Sequence, residues 1–191
     1  MWKDIAIFGI PGYCALAISA LLYWQDRRRY HVKLRFIVSH WDVVWYKDNQ
    51  SLVLFRMIFV NHSLRGQIVA TTSIKPPSDI TCKTFPYHYG ESFSEAVFPF
   101  PDEERGVCVP AEEMLVDVLD IPPQQSRHVW NGILLNWGSR EPTLKDLPFP
   151  VWFYAHDINA EELARCRIAM TLSELKNPKI YEPLRYVRVE K

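Results

Sequence analysis

The residue types able to do chemistry are present in this chain but scattered. Six histidines stand singly: His31, His40, His62, His88, His128 and His156. No two fall at the H-x-H or H-x-x-x-H spacing that a strand or a helix turns into a metal-binding face. His156 is followed by Asp157 at the end of an apolar run, and His128 stands at the start of another. A histidine held by a carboxylate is the ordinary general base. Cys82, Cys108 and Cys166 are candidate nucleophiles wherever a histidine reaches one of them. Cys166 falls on the apolar side of an alternating segment, where packing explains it. Cys108, in a proline-rich stretch, is the least constrained. There is no G-x-S-x-G elbow and no glycine-rich phosphate loop in the sequence. A hydrolase would have to gather His128, His156, Asp157 and Cys108 into one cleft. The reading that the chain is not an enzyme, with no cofactor and no metal, ranks first. Asn61-His62-Ser63 fits a glycosylation acceptor, which matters only in a secretory lumen; a turn that closes a strand explains it as well.

The aromatic residues form the other chemical signal. Trp41, Trp45 and Tyr46 cluster in one place, and Phe85, Tyr87, Tyr89 and Phe93 in a second. Exposed aromatics are common binding anchors, so Trp41, Trp45, Tyr46, Tyr87 and Tyr89 are the candidate binding residues. The competing reading is that they plug the open ends of a β-sandwich. Stacking on single-stranded nucleic acid calls for interleaved Lys or Arg, and Lys83 alone serves the second cluster. Lys plus Arg total 22, as do Asp plus Glu. With no basic excess, a nucleic-acid partner is not expected.

These side chains must be positioned by a chain of two parts. Residues 5–24 read IAIFGIPGYCALAISALLYW, without a charge. Twenty residues at the helical rise make about 30 Å, the thickness of a hydrocarbon core. Trp2, Tyr23 and Trp24 suit the two interfaces, and Gly9, Pro11 and Gly12 should loosen the first half. A cleaved signal peptide is the main alternative, since Ala15-Leu16-Ala17 offers a small-x-small site. The apolar run continues past that site, however, and Arg27, Arg28 and Arg29 follow at once. A lipoprotein site is disfavoured by Tyr13 before Cys14; a buried core helix is the third reading. Basic flanks stay on the cytoplasmic side. The three arginines, with Lys33 and Arg35, therefore predict an outside N-terminus and a cytoplasmic domain. The thiols agree: outside the span three cysteines remain, an odd number without C-x-x-C, as in a reducing compartment. Gly9, Gly12, Ala15 and Ser19 are small residues along the helix, which would suit a structural subunit of a membrane complex.

The remainder, residues 31–191, reads as one β domain; residues 1–30 are the anchor and its arginines. Apolar residues make up 48% of the chain, enough to give a domain of this size a real core. Residues 31–39 alternate Val32, Leu34, Phe36 and Val38 against Lys33 and Arg35, the period of a half-buried strand. Residues 41–46 either continue it after a bulge or form a short aromatic segment. Residues 52–60 are apolar on both faces, as in a central strand. Residues 67–74 are β-branched and read as the next strand. Prolines between 79 and 113 exclude long helices and central strands there, leaving short edge strands and ordered loops. Further strands are expected at 114–119, 127–137, 151–155, 165–172 and 186–189. A short helix is expected near 158–164, with Asn159 as its N-cap.

Many short strands with turn signals argue for an all-β sandwich. The stretch from Leu52 to Ile74, an apolar strand, an Asn-His-Ser break and a β-branched strand, resembles immunoglobulin-like and fibronectin-like sandwiches. So does the Pro-Pro-Gln-Gln-Ser turn entering a strand at Ser126. The resemblance covers about a quarter of the chain, and the paired cysteines with an intervening Trp of antibody domains are missing. It implies an immunoglobulin-like sandwich and a binding role. The expected function is a membrane-tethered interaction module, with the lipid bilayer and a protein at its surface as partners.

Overall fold

The computed structural model describes residues 17–24, 33–90, 93–114, 118–138 and 147–189. Among them the chain is mostly β, with thirteen strands. Residues 17–24 form a helix, α1. No helix among the described residues is long and apolar enough to cross a membrane. The expected span is thus not supported as a whole helix: its residues 5–16 lie outside the described set, as do Arg27, Arg28 and Arg29.

The domain is organised around a central four-stranded sheet. Strands β1 (Leu34–Lys47), β2 (Gln50–Asn61), β10 (Ser126–Asn136) and β5 (Thr81–Thr84) lie in the order β1-β2-β10-β5. Strand β1 carries two bulges, between Val38 and His40 and between Val43 and Trp45. An extra residue reverses the inward parity of a strand. Before the first bulge Leu34, Phe36 and Val38 face one core; after it Trp41 and Val43 do. After the second, Trp45 joins Val44 in a separate core on the opposite face. The segment 41–46 is thus a continuation of the strand through bulges.

Strand β2 is buried on one face along its length and on the other as far as Leu54, after which Arg56, Ile58 and Val60 are half-buried. Val53, Phe55, Met57 and Phe59 point into the first core, Leu52 and Leu54 into the second. Each such side chain contributes roughly 1.5–3 kcal/mol by leaving water. The first core is closed by a sheet of β11 (Phe149–His156), β12 (Glu162–Met170) and β4 (Thr71–Lys75), in the order β12-β11-β4. Phe153 of β11 packs edge-on against Phe55 (4.8 Å between ring centres) and Phe36 (6.4 Å). The second core is closed by β13 (Arg185–Arg188), β8 (Arg105–Pro110), β7 (Glu95–Pro99) and β6 (His88–Tyr89), in the order β13-β8-β7-β6. Phe98 lies so close to β10 that a Cβ on Gly132 would stand 2.5 Å from its ring. A small pair, β3 (Gln67–Val69) with β9 (Leu119–Ile121), covers one end. The β-sandwich expected from the sequence is therefore present, with a third sheet added on its other face.

Several local expectations are corrected. The single strand expected at 67–74 is two, β3 and β4, in different sheets. The proline-rich middle supplies β7 and β8, interior strands of the third sheet. Pro99 and Pro110 stand at their last positions, where a missing ladder donor does little harm. Of the strand expected at 114–119, Met114 makes a lone bridge to Trp130, residues 115–117 lie outside the described set, and the strand proper is β9. The helix expected near 158–164 is a tight turn followed by β12. The Asp157 carboxylate accepts the backbone N–H groups of Asn159 (2.8 Å) and Glu161 (2.9 Å), and Ala160 takes φ 62°. Asp157, not Asn159, is the organising acceptor, and it closes a β-hairpin. A short helix stands later, α2 (Leu172–Leu175), started by a capping box between Thr171 and Glu174.

Candidate functional site

The aromatic candidates do not form one exposed surface. Trp45 is 5% exposed and belongs to the second core; as a surface anchor it is a correction. Its indole N–H donates to Glu103 Oε1 at 2.8 Å. Burial raises the Glu103 carboxyl, but hydrogen bonds from Arg105 and Trp45 outweigh it and hold the group below its usual range. Tyr46 is half-buried and stacks on Trp137 at 5.8 Å, the rings within 4° of parallel. Trp41 is half-buried against the first core. Tyr87 and Tyr89 are different. Phe98, Tyr87, Tyr89 and Phe93 follow one another at 5.7, 5.7 and 6.4 Å, a file of rings from the core to the surface. It ends on exposed Phe93, whose φ of 54° is unusual for a bulky residue.

The catalytic candidates are distributed over three sheets. Cys108 lies in β8, 2% exposed, with its sulfur accepting from Arg185 Nε at 3.1 Å. It is a strand residue and not the free loop thiol expected. Burial and the neighbouring Glu95 push the thiol up, against the pull of Arg185. His128 is exposed on β10. His156 ends β11 and stacks on Tyr154 at 6.3 Å. The Asp157 carboxylate serves its turn. Cys82 and Cys166 are half-buried and packed against the first core, and burial raises both thiols, Cys82 to about 11. Among the described residues no group of three His, Cys, Asp or Glu side chains could hold a metal ion. His31 lies outside them.

Between the two bulges of β1 lies a polar pair. His40 and Asp42, two residues apart on one face, meet with Nε2 and Oδ1 3.0 Å apart. Asp42 is 3% exposed, and its Oδ2 has no hydrogen-bond partner in the protein. Burial raises this carboxyl and His40 pulls it down, with the net shift upward. Asp42 lines a recess of about 270 Å³ together with Trp41, Ser173, Asn177, Lys179 and Tyr181. Asp42 Oδ2 is closed off from solvent, so the unpaired atom does not face a ligand in that recess. The H-x-D spacing in a strand was the signal for this pair.

The most highly organised polar group is at the end of the domain where β1 begins. Register places Leu34, Asn61 and Ser126 together there. Asn61 is fully buried. Its Nδ2 donates to the carbonyls of Arg65 (2.7 Å), Ile121 (2.9 Å) and Pro122 (3.1 Å). Its Oδ1 accepts from Ser63 N (2.9 Å) and Ser63 Oγ (2.6 Å). Gln67 adds a bond to Ser63 Oγ at 3.3 Å. One amide thus pins the 62–66 loop and the β9–β10 turn to the end of the sheet. This is the structural use of Asn61-His62-Ser63, and it leaves the amide no room for a glycan.

No protein-family model matches the chain, and no curated protein matches its sequence. The most unusual element is α1, where Ile18, Leu21, Leu22, Tyr23 and Trp24 are each more than half exposed. A helix that packs on its own domain hides one apolar stripe; all eight residues of α1 are exposed.

Proposed function

We propose that this chain is a non-catalytic interaction module held at a membrane by its N-terminal segment. The observation that carries the reading is the exposed apolar surface of α1. Ile18, Leu21, Leu22 and Tyr23 are each more than half exposed and need a cover. Residues 17–24 continue an uncharged run that starts at residue 5, and the run has the length of a bilayer core. Arg27, Arg28 and Arg29 place the domain on the cytoplasmic side in this reading. A tether raises the effective concentration of the domain for partners at the same surface, and β-sandwiches of immunoglobulin-like kind host many binding functions, which supports the role by fold analogy.

The test is carbonate extraction of membranes carrying the full chain, followed by reading its mature N-terminus. The reading expects the chain to stay in the membrane pellet with residues 5–24 intact. Release into the carbonate supernatant, or a mature terminus beyond Ala17, would refute the tether. Reporters fused after Lys191 check the side: activity of a cytoplasmic reporter supports it, activity of alkaline phosphatase overturns it.

A further inference from the structure

The β domain is joined to α1 at the end that Asn61 organises. Lys33, the first described residue of the domain, accepts the His62 backbone N–H at 2.9 Å through its carbonyl. Residues 25–32 separate it from α1, and a chain of that length reaches at most about 30 Å. If α1 lies in a bilayer, this end is held close to the headgroups.

The exposed aliphatic side chains gather at the same end. In the β domain the large exposed aliphatics are Leu64 (54%), Ile68 (46%), Val118 (52%), Leu147 (68%) and Ile158 (72%). Leu64 is in the loop pinned by Asn61, and Ile68 is on β3, which starts from that loop. Val118 leads into β9, the partner of β3. Ile158 tops the β11–β12 hairpin, whose direction follows from three contacts. Cys166 meets the backbone of Val38. Further along, Ser51 Oγ donates to the Leu175 carbonyl, and Ser51 pairs with Tyr46 near the opposite end of β1. Strand β12 therefore runs alongside β1 in the same sense, and its first residues and the hairpin turn lie towards Leu34. Leu147, just before β11, is at the opposite end, with Phe149 paired to Met170. Single exposed aliphatics are ordinary; four on the segments that meet at one end make a patch. Lys33, Arg35, Arg65 and Arg127 stand exposed around it, and so do Asp120, opposite Ile68, and Glu161 and Glu162 beyond Ile158, so the two signs are mixed there.

We infer that this end is a membrane-contact face: Leu64, Ile68, Val118 and Ile158 rest on the headgroup layer of the bilayer that holds α1 and keep the domain in one orientation. The inference rests on the tether reading and adds the orientation to it. The rigid Asn61 network suits the task, because it fixes the relative positions of the tips before they meet the membrane. In that orientation the opposite end, with Leu147 and the β1–β2 turn, faces away from the membrane and is available to partners.

The experiment uses the full chain with ¹³C-labelled Leu, Val and Ile methyl groups in nanodiscs containing phosphatidylserine and a trace of lipid with gadolinium chelated at its headgroup. The expected result is strong paramagnetic broadening of the Leu64, Ile68, Val118 and Ile158 methyls, with Leu147 sharp. Equal broadening of Leu147 and Leu64, or no broadening of the four while the chain co-purifies with the discs, overturns the orientation and leaves the tether standing. Failure to co-purify with the discs removes the tether, and the orientation with it.

Discussion

Replacing Asn61 by Ala is the sharpest test of how the domain holds its N-terminal end. The side chain gives two protons through Nδ2 and receives two from Ser63 through Oδ1. At about 1 kcal/mol net per hydrogen bond the loss is roughly 4 kcal/mol. Partial hydration of the Arg65 and Pro122 carbonyls, which are less buried than Ile121's, brings the expected cost of Asn61→Ala to roughly 3 kcal/mol. That is a large share of the 5–15 kcal/mol typical of a domain. Urea unfolding of the full chain in detergent, followed by fluorescence of the buried Trp130 and Trp137, should show a midpoint lower by about 1.5 M for an m-value near 2 kcal/mol/M. Asn61→Asp is the diagnostic partner. It keeps the acceptor for Ser63 but turns an oxygen towards three carbonyls. Ionised, it should be worse than Ala; protonated, it can donate to one of them. Its carboxyl would be raised in the folded state, so the fold holds a proton that the unfolded chain releases near pH 4. Its stability is then fullest at acid pH and falls as pH rises to 7, whereas the Ala variant should track wild type. A loss below 1 kcal/mol for Asn61→Ala, or an Asp variant indifferent to pH, would refute the network's assigned strength.

Three further outcomes are expected. Asp42→Asn should gain on wild type as pH rises from 4 to 7. The buried carboxyl is raised in the fold, so its contribution is whole below the unfolded pKa and is lost above it; parallel urea titrations at the two pH values check this, and a constant gap would count against it. Gly132→Ala should cost about 1–3 kcal/mol by forcing a methyl against the Phe98 ring, measured by thermal melting. Cys82, raised to about 11, should react with iodoacetamide at pH 8 on the order of a hundredfold more slowly than a free thiol; peptide mass spectrometry before and after urea would show the difference.

Much of the fold was legible where periodicity was strong. Strands β1, β2, β10, β11 and β12 correspond to segments that alternate, or are apolar throughout, over at least five residues. Where the reading failed, a local rule was overridden by a less visible one. Ala160-Glu161-Glu162 has helix propensity, but the Asp157 carboxylate captured two backbone N–H groups first and turned the chain back. Thr171-Leu172-Ser173-Glu174 carries the capping-box spacing in full, and α2 could have been found from it. Prolines bar only positions whose N–H the ladder needs, so Pro99 and Pro110 can end interior strands. The polar pairs His40–Asp42 and Asn61–Ser63 are both at i, i+2 within or just beyond a strand, the spacing that puts two side chains on one face. Their chemistry was visible as a pattern; the burial of Asp42, Asn61 and Ser63 was not, because it depends on segments from distant parts of the chain.

The third sheet bears on both fold and function. In a two-layer sandwich each strand hides one face and shows the other, so its sequence alternates. Residues 52–60 do not alternate, and such a strand needs a cover above and below. The hairpin of β7 and β8 is that second cover, and Phe98 reaches Gly132 and Leu54 to close it. The third sheet covers only one half of that face: beyond it Arg56, Ile58 and Val60 of β2 are half-buried and His128 of β10, opposite Ile58, is exposed. That open half, the ends and the outer surfaces of the flanking sheets are left to bind with. One end carries the chain towards α1 and bears most of the exposed aliphatic side chains; the file of rings from Phe98 to Phe93 rises from the third sheet. On the proposed tether reading, partners are recognised through that open half, the loops and the rims, where point substitutions should separate binding from stability.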